Sequence, residues 1–223
     1  MKNLKRIDLF KNLSDQELSE LGAHISSESF KKKETIFHEG EPPEWFYIVA
    51  SGKVKITKLS HEGKEVILEI IQPGDIFGGV AVLKNFPYPA NAVTMEDTEV
   101  LKISRKNLMR ILDRFPNLMY CIALQLGDRM KSSYDSLKNI ALERVEARIA
   151  ALLLKLAGKV GVETRDGLMI DMRLTKQDVA DMVGTTVETS IRTFTKFKKQ
   201  ELVYDLDGKI VIKDKRGLTA LAS

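Results

Sequence analysis

The chain has 223 residues, 43% of them hydrophobic and 30% charged, with a net charge of +4 and one cysteine. That length accommodates two domains, each able to bury a core, and the composition describes a globular protein rather than a uniformly basic one. A lone Cys121 excludes disulfides within the chain and any four-thiolate metal or iron–sulfur site in a single chain.

The first residues, MKNLKRIDLFKNL, hold no long apolar core and no small-residue cleavage site, and no 18-residue window is uninterruptedly apolar. The expectation is a cytoplasmic chain, neither exported nor membrane-spanning. Ser14 with Glu17 forms a capping box that predicts a short helix from Ser14 to Leu21.

The next stretch is organised by Gly40, Gly52, Gly63 and Gly74, at intervals of 12, 11 and 11. β-rich runs lie between them: Trp45–Val49, Val54–Thr57 and Val66–Ile71, with further strands expected near Ala90–Met95 and Glu99–Ile103. Short strands at this spacing indicate an antiparallel sandwich or barrel. Polar and apolar residues alternate from Lys53 to Leu59, which predicts one wet face.

From Arg105 to about Leu142 the period becomes helical. Pro116 suits the first turn of a new helix. Leu118, Ile122, Gln125, Arg129, Ser132 or Ser133, and Leu137 then recur at steps of three and four, as a dimerisation helix would arrange them; the competing reading is a core helix of one domain. Asn139–Ala141 is the expected hinge, followed by a helix over Arg144–Leu156. Cys121 falls in an apolar helical stretch and reads as a structural thiol.

The most informative segment is LTKQDVADMVGTTVETSIRTFTKFKKQELV, from Leu174 to Val203. Thr175 and Asp178 can form a capping box; Val179, Ala180 and Val183 give the first helix an apolar face. Gly184 can take the left-handed conformation that ends one helix and turns the chain. Thr185 or Thr186 can cap the second helix, whose core-facing stripe is expected to be Ile191, Phe194 and Phe197. Val187, Glu188 and Arg192 are then left on the exposed face, with Lys196, Lys198 and Lys199 behind. Arg192–Lys199 holds four positive and no negative residues, a local basic patch. This is a helix-turn-helix with a recognition helix. A solvated helical hairpin is the bland competitor. Asp207-Gly208 between Val203-Tyr204 and Ile210–Ile212 predicts a hairpin wing.

A glycine-punctuated barrel, a long helix, a helix-turn-helix containing VETSIR and a wing together resemble the Crp/Fnr superfamily of bacterial transcription regulators. The motifs are IFHEGEPPEWFYIVASGKVKI, QPGDIFG, LERVEARIAALLLKLA and LTKQDVADMVGTTVETSIR, and the resemblance covers essentially the whole chain. It implies an α+β architecture: an N-terminal antiparallel β jelly-roll barrel over 1–107, a dimerisation helix over 108–138, and a C-terminal winged helix-turn-helix over 139–223. It also implies a homodimer on a palindromic operator in double-stranded DNA, RNA polymerase as a partner, and a small-molecule or gas effector. By resemblance the effector pocket is walled by Phe77, Gly78, Gly79, Val80, Ala81, Val82, Tyr88, Pro89, Ala90 and Asn91, with Gln125, Arg129, Ser132 and Ser133 from the long helix.

In cyclic-AMP-binding members a glutamate takes the ribose hydroxyl and an arginine neutralises the phosphate. Here Gly79 stands at the glutamate position and Tyr88 or Pro89 at the arginine position. Neither replaces a guanidinium, and proline removes a backbone donor. Tight cyclic AMP binding is therefore not expected. An iron–sulfur cluster is excluded by the cysteine count. Haem stays open, because the Pro-Tyr-Pro-Ala run resembles that of nitrosative-stress regulators; the candidate ligands are His24, His38, His61, Cys121 and the methionines. The histidines at 38 and 61 sit in turn contexts and read as solvated.

The expected DNA-contacting set is Thr186, Val187, Glu188, Thr189, Ile191, Arg192, Lys196 and Lys198. Glu188 can accept from a cytosine N4 amine, and Arg192 can bond guanine O6 and N7 together. Val187 stands where the catabolite activator has arginine; it can touch a thymine methyl but cannot read guanine. This resembles the FNR and nitrosative-stress branch of the superfamily, whose half-site is close to TTGA, and implies a site near TTGAN6TCAA. Ile191 replaces a serine frequent in that branch. No nucleophile–base pair, metal cluster or phosphate loop is evident, so no enzyme is expected. The rival class is a cyclic-nucleotide-like regulatory module of a signalling complex.

Overall fold

The computed structural model describes residues 4–11 and 13–222, and the chain separates into two compact units, Met1–Met130 and Lys131–Ser223.

In the first unit two 3-10 turns (Leu4–Arg6 and Asp8–Phe10) precede helix α1 (Asp15–Gly22). Its capping box forms: the Ser14 hydroxyl accepts from the Glu17 N–H at 3.3 Å, and the Glu17 carboxylate accepts from the Ser14 N–H at 2.7 Å. Eight strands follow: β1 (Ser26–Phe30), β2 (Thr35–Phe37), β3 (Trp45–Ser51), β4 (Val54–Leu59), β5 (Glu65–Ile71), β6 (Ile76–Phe77), β7 (Asn91–Thr94) and β8 (Thr98–Ser104). The short helix α2 (Gly79–Lys84) interrupts them between β6 and β7. They form two four-stranded antiparallel sheets, ordered β1-β8-β3-β6 and β2-β7-β4-β5. First and last strands pair, so the double sheet closes as a jelly roll. Phe46, Ile48, Val49, Ile71, Ile76 and Val100 fill the core. Each of the four turn glycines has positive φ.

The expected alternation along β4 breaks. Thr57 is buried and Leu59 is 57% exposed. The register with β5 shifts between Ile56 and Thr57, and one extra residue in a strand swaps its two faces.

Helices α3 (Arg105–Arg114) and α4 (Pro116–Leu142) complete this part of the chain. Leu118 and Ile122 belong to the barrel core, with Cys121 and Leu126 packed against it. The stripe read as a dimer seam thus begins as a core face. Its last member, Leu137, instead joins Tyr120, Met130 and Tyr134 as exposed apolar residues, all four more than half exposed. α4 also runs through Asn139–Ala141, the expected hinge, since none of those residues breaks a helix; the interruption falls at Glu143 and Arg144.

The second unit continues with α5 (Val145–Val160), β9 (Gly161–Thr164), β10 (Gly167–Arg173), α6 (Lys176–Val183), α7 (Val187–Lys199), β11 (Val203–Leu206), β12 (Lys209–Ile212) and α8 (Lys215–Leu221). The strands form one antiparallel sheet, β11-β12-β10-β9. The wing hairpin turns through Asp207 (φ 49°) and Gly208 (φ 79°), both left-handed, as a two-residue turn between twisted strands requires. It does not stand alone, because β12 also pairs with β10.

Candidate functional site: nucleic-acid interface and barrel cavity

The reader head is built from its caps inward. The Thr175 hydroxyl accepts from the Asp178 N–H at 3.0 Å, and Asp178 accepts from the Thr175 N–H at 2.9 Å. This reciprocal cap fixes the start of α6. Gly184 at φ 67°, ψ 53° ends it, and the Thr185 N–H returns to the Ala180 carbonyl at 3.0 Å. The Thr186 hydroxyl then accepts from the Thr189 N–H at 3.2 Å and starts α7. Val179, Ala180 and Val183 of α6 and Phe194 and Phe197 of α7 are all buried. Removing a buried phenylalanine costs about 3–5 kcal/mol, so Phe194 and Phe197 anchor the second helix in the core of this unit.

The buried side of α7 is Ser190, Thr193, Phe194 and Phe197. Ile191, expected in that stripe, is 49% exposed. The reason is angular. The core face steps 190, 193, 194 and 197, and Ile191 lies about 100° round the helix from Ser190. It sits instead beside Glu188, Arg192, Thr195 and Lys199, which are all exposed at steps of three and four. Thr195 and Lys199 of that row were absent from the expected contact set. Spacing from Glu188 alone would have found them.

Glu188 and Arg192 are one turn apart on this outer face, and the Arg192 guanidinium donates to the Thr189 hydroxyl at 3.2 Å. The Glu188 carboxyl is held below the usual carboxylate range, first by its own backbone N–H and then by the Thr186 hydroxyl. It is an ionised acceptor at neutral pH. Thr186 is exposed, and Val187 and Thr189 are half-buried at the start of the helix.

The lysines behind are tethered. Lys196 pairs with Glu146 of α5 at 2.6 Å. Lys198 pairs with Asp205 of the wing strand β11, and Lys176 reaches the other oxygen of that carboxylate at 3.3 Å. The Lys176 ammonium also lies 3.8 Å from the Phe194 ring centroid. Partial burial pushes the Asp205 carboxyl up, but the hydrogen bonds and charges of Lys198 and Lys176 outweigh it and leave it lowered.

In the first unit a cavity of about 170 Å³ opens among β2, β4, β5, β6, α2 and α4. Of the pocket residues expected by resemblance, Phe77, Gly78, Gly79, Val80, Ala81, Tyr88, Pro89, Ala90 and Arg129 line it. Val82 is buried in the core, its carbonyl accepting from Arg105 Nε at 3.0 Å. Asn91, half-buried, accepts from the Glu39 N–H at 2.9 Å and is not part of the wall. Gln125 does not line it either, and Ser132 and Ser133 fall in the second unit. Sequence reading missed Phe37, Ile56, Glu69, Ile76, Ile122 and Leu126. An acidic Glu69 inside the apolar run VILEII was the available signal.

Tyr88, one of the two residues that resemblance puts at the phosphate-binding arginine's place, is held in aromatic packing. Tyr88 is 3% exposed, its ring stacks on Phe37 at 3.8 Å, and its hydroxyl donates to the Trp45 carbonyl at 2.6 Å. Burial, first of all, raises its pKa. The Tyr88 N–H is taken by the Glu41 carbonyl at 2.9 Å, and Pro89 has none. At Gly79 a Cβ would lie 2.9 Å from the Phe46 ring, so no larger residue fits while that ring stays. Arg129 pairs with Glu69 at 3.2 Å and also donates to the Ile76 carbonyl. His38 and His61 are exposed at turns, and among the described residues no histidine, cysteine or methionine lines the cavity.

The family model of the cyclic nucleotide-binding domain matches residues 27–115, and that of the Crp-like helix-turn-helix domain matches 147–221. The chain belongs to the Crp/Fnr family of regulators. It is 27% identical to the CRP-like cAMP-activated global transcriptional regulator of Mycobacterium tuberculosis, over 94% of this chain and 93% of that protein. It is 29% identical to the anaerobic regulatory protein of Bacillus subtilis, over 90% and 86%. A solved structure of a CooA mutant from Carboxydothermus hydrogenoformans superposes with a TM-score of 0.81 at 24% identity, covering 99% of this chain and 95% of that one. This Crp/Fnr protein is thus a DNA-binding transcriptional regulator with an effector-binding domain, and such regulators are not enzymes. No helix among its described residues is long and apolar enough to cross a membrane.

Proposed function

We propose that this protein is a homodimeric regulator, controlled by an effector other than cyclic AMP, that reads a palindrome near TTGAN6TCAA in the bacterial cytoplasm. The observation that carries the reading is the pairing of Glu188 and Arg192 on the exposed face of a capped, core-anchored α7. Arg192 would take guanine O6 and N7, Glu188 the opposing cytosine amine, and Val187 a thymine methyl. Thr186 and Thr189 at the helix start, and Lys196 and Lys198 behind it, would hold phosphates and set register. Exposed Ile191 adds a second apolar contact.

Dimerisation is supported by the exposed row on α4. Tyr120, Gly127 and Tyr134 repeat every seven residues, as do Ala123, Met130 and Leu137. A Cβ at Gly127 would meet nothing within 4 Å, leaving room for a close neighbour. Two such chains present two reader heads to half-sites one helical turn apart.

Cyclic AMP is disfavoured because its two charged partners are replaced by Gly79 and by Tyr88 or Pro89, and Gly79 and Tyr88 lie against the rings of Phe46 and Phe37. The effector acts instead by favouring one arrangement of the paired long helices, to the extent of its differential affinity for the two states. Contact with RNA polymerase then depends on operator position.

Selection of binding sites from random duplex DNA tests the reading. Enrichment of TTGA half-sites is expected; enrichment of TGTGA would contradict the valine argument. Micromolar cyclic AMP affinity by calorimetry would contradict the effector argument.

A further inference from the structure

We propose that the barrel cavity is a binding site for a small, uncharged, single-ring aromatic molecule. The inference rests on reading the barrel as the effector domain, and it names the ligand class from the cavity wall.

Size comes first. The cavity measures about 170 Å³. Sites for drug-sized ligands are roughly 300–1,000 Å³. A dry cavity of roughly 150 Å³ walled by leucine, isoleucine and phenylalanine side chains takes benzene. The wall here is of that kind, with Phe37, Ile56, Ile76, Phe77, Ile122 and Leu126 among its residues.

Charge comes second. Glu69 and Arg129 carry the only formal charges on the wall, and they are paired with each other at 3.2 Å. Arg129 is further committed to the Ile76 carbonyl. The cavity therefore offers no net charge. An anion entering it would have to break that pair or lose its own hydration without replacement.

Aromatic geometry comes third. Phe37 stacks on Tyr88 at 3.8 Å and lies 6.0 Å from Phe77, so three mutually packed aromatic rings contribute to the wall. The Tyr88 hydroxyl is engaged with the Trp45 backbone, so this residue contributes its ring to the wall. A planar ring gains from offset or edge-to-face contact with such a wall beyond its burial. Ile122, Leu126 and Arg129 belong to α4, so an occupant touches the long helix directly.

The test uses the full-length protein without DNA. Benzyl alcohol, benzoate and cyclic AMP are titrated by ligand-observed NMR and calorimetry. Saturable binding of benzyl alcohol at one site per chain is expected. Benzoate, the same ring with a carboxylate, should bind at least about tenfold more weakly. Leu126→Trp and Ala81→Leu each fill the cavity and should lower benzyl alcohol affinity by more than about tenfold, with the melting temperature read alongside. If Ala81→Leu does not fold, the half-buried Leu126 position still decides. Benzoate binding as tightly as benzyl alcohol, unchanged affinity in the filled variants, or no arene binding at all would each overturn the proposal. Duplex binding is scored separately. A protein that selects its palindrome but takes no arene refutes this site alone; one that takes the arene but selects no DNA refutes the proposed operator reading alone.

Discussion

Asp205→Asn isolates the electrostatics of the reader head. One carboxylate holds two lysines, Lys176 at 3.3 Å and Lys198 at hydrogen-bond distance, so the cluster carries a net charge of one where two ammonium groups sit. Removing the carboxylate returns one positive charge to the side proposed to face DNA. At about 6 Å in water a unit charge pair is worth on the order of 0.7 kcal/mol, a roughly threefold rise in affinity. One further neutralised phosphate steepens the dependence of log K on log salt by about 0.9. Across a fourfold change in salt, the variant's advantage should therefore shrink roughly threefold. The assay is fluorescence anisotropy with specific and scrambled duplexes between about 50 and 200 mM salt. Both duplexes should gain together, since phosphates carry no sequence information. Stability should fall by no more than about 1 kcal/mol, as the pair is partly exposed. The pH sign agrees. The Asp205 carboxyl is lowered on folding, so its contribution is present above the ordinary carboxylate pKa and lost as pH falls through the lower folded value. Acid then mimics the asparagine. An unchanged or shallower salt slope would refute the reasoning, and weaker binding would mean that Asp205 aims the lysines rather than occupying them.

Other outcomes follow from single contacts. Thr175→Ala removes the reciprocal cap of α6 and should cost about 0.5–2 kcal/mol in denaturant melts of the full chain. Leu137→Glu places a charge in the exposed α4 row; sedimentation should show monomers, and an intact dimer would locate the interface elsewhere. Gly79→Glu with Tyr88→Arg restores the residue types of cyclic-AMP-binding relatives, yet Phe46 lies where the new Cβ must go. Calorimetry should find no tight cyclic AMP binding, with a lowered melting temperature.

What the sequence disclosed was local. Ser14 with Glu17 and Thr175 with Asp178 both close the boxes their spacing announced, because caps depend on residues three apart. Asp207-Gly208 turned where its left-handed preference said it would. What stayed hidden depends on partners distant in the chain. The bulge that buries Thr57 and exposes Leu59 is a mismatch with β5, invisible along β4 alone. The β9–β10 hairpin is an exception, since Asp166-Gly167 offers the same local signal as Asp207-Gly208; Thr164 pairs with Gly167, so its two turn residues are Arg165 and Asp166, one place earlier. Ile191 looked like core by hydropathy, and only the position of Phe194 and Phe197 against α6 shows which side of α7 is dry. Resemblance placed the cavity near α2 and Tyr88, but Glu69 as the partner of Arg129 required the fold.

A double-mutant cycle asks whether Arg192 reads a guanine through two hydrogen bonds. Wild-type protein and Arg192→Ala are each measured against the palindrome and against the same duplex carrying 7-deazaguanine at the half-site guanine. Either change alone should cost about 1–3 kcal/mol, and 7-deazaguanine should cost little once Arg192 is alanine, whereas Arg192→Ala on the modified duplex still loses the O6 bond. Fully additive losses, or wild-type affinity indifferent to the missing N7, would contradict the two-bond reading.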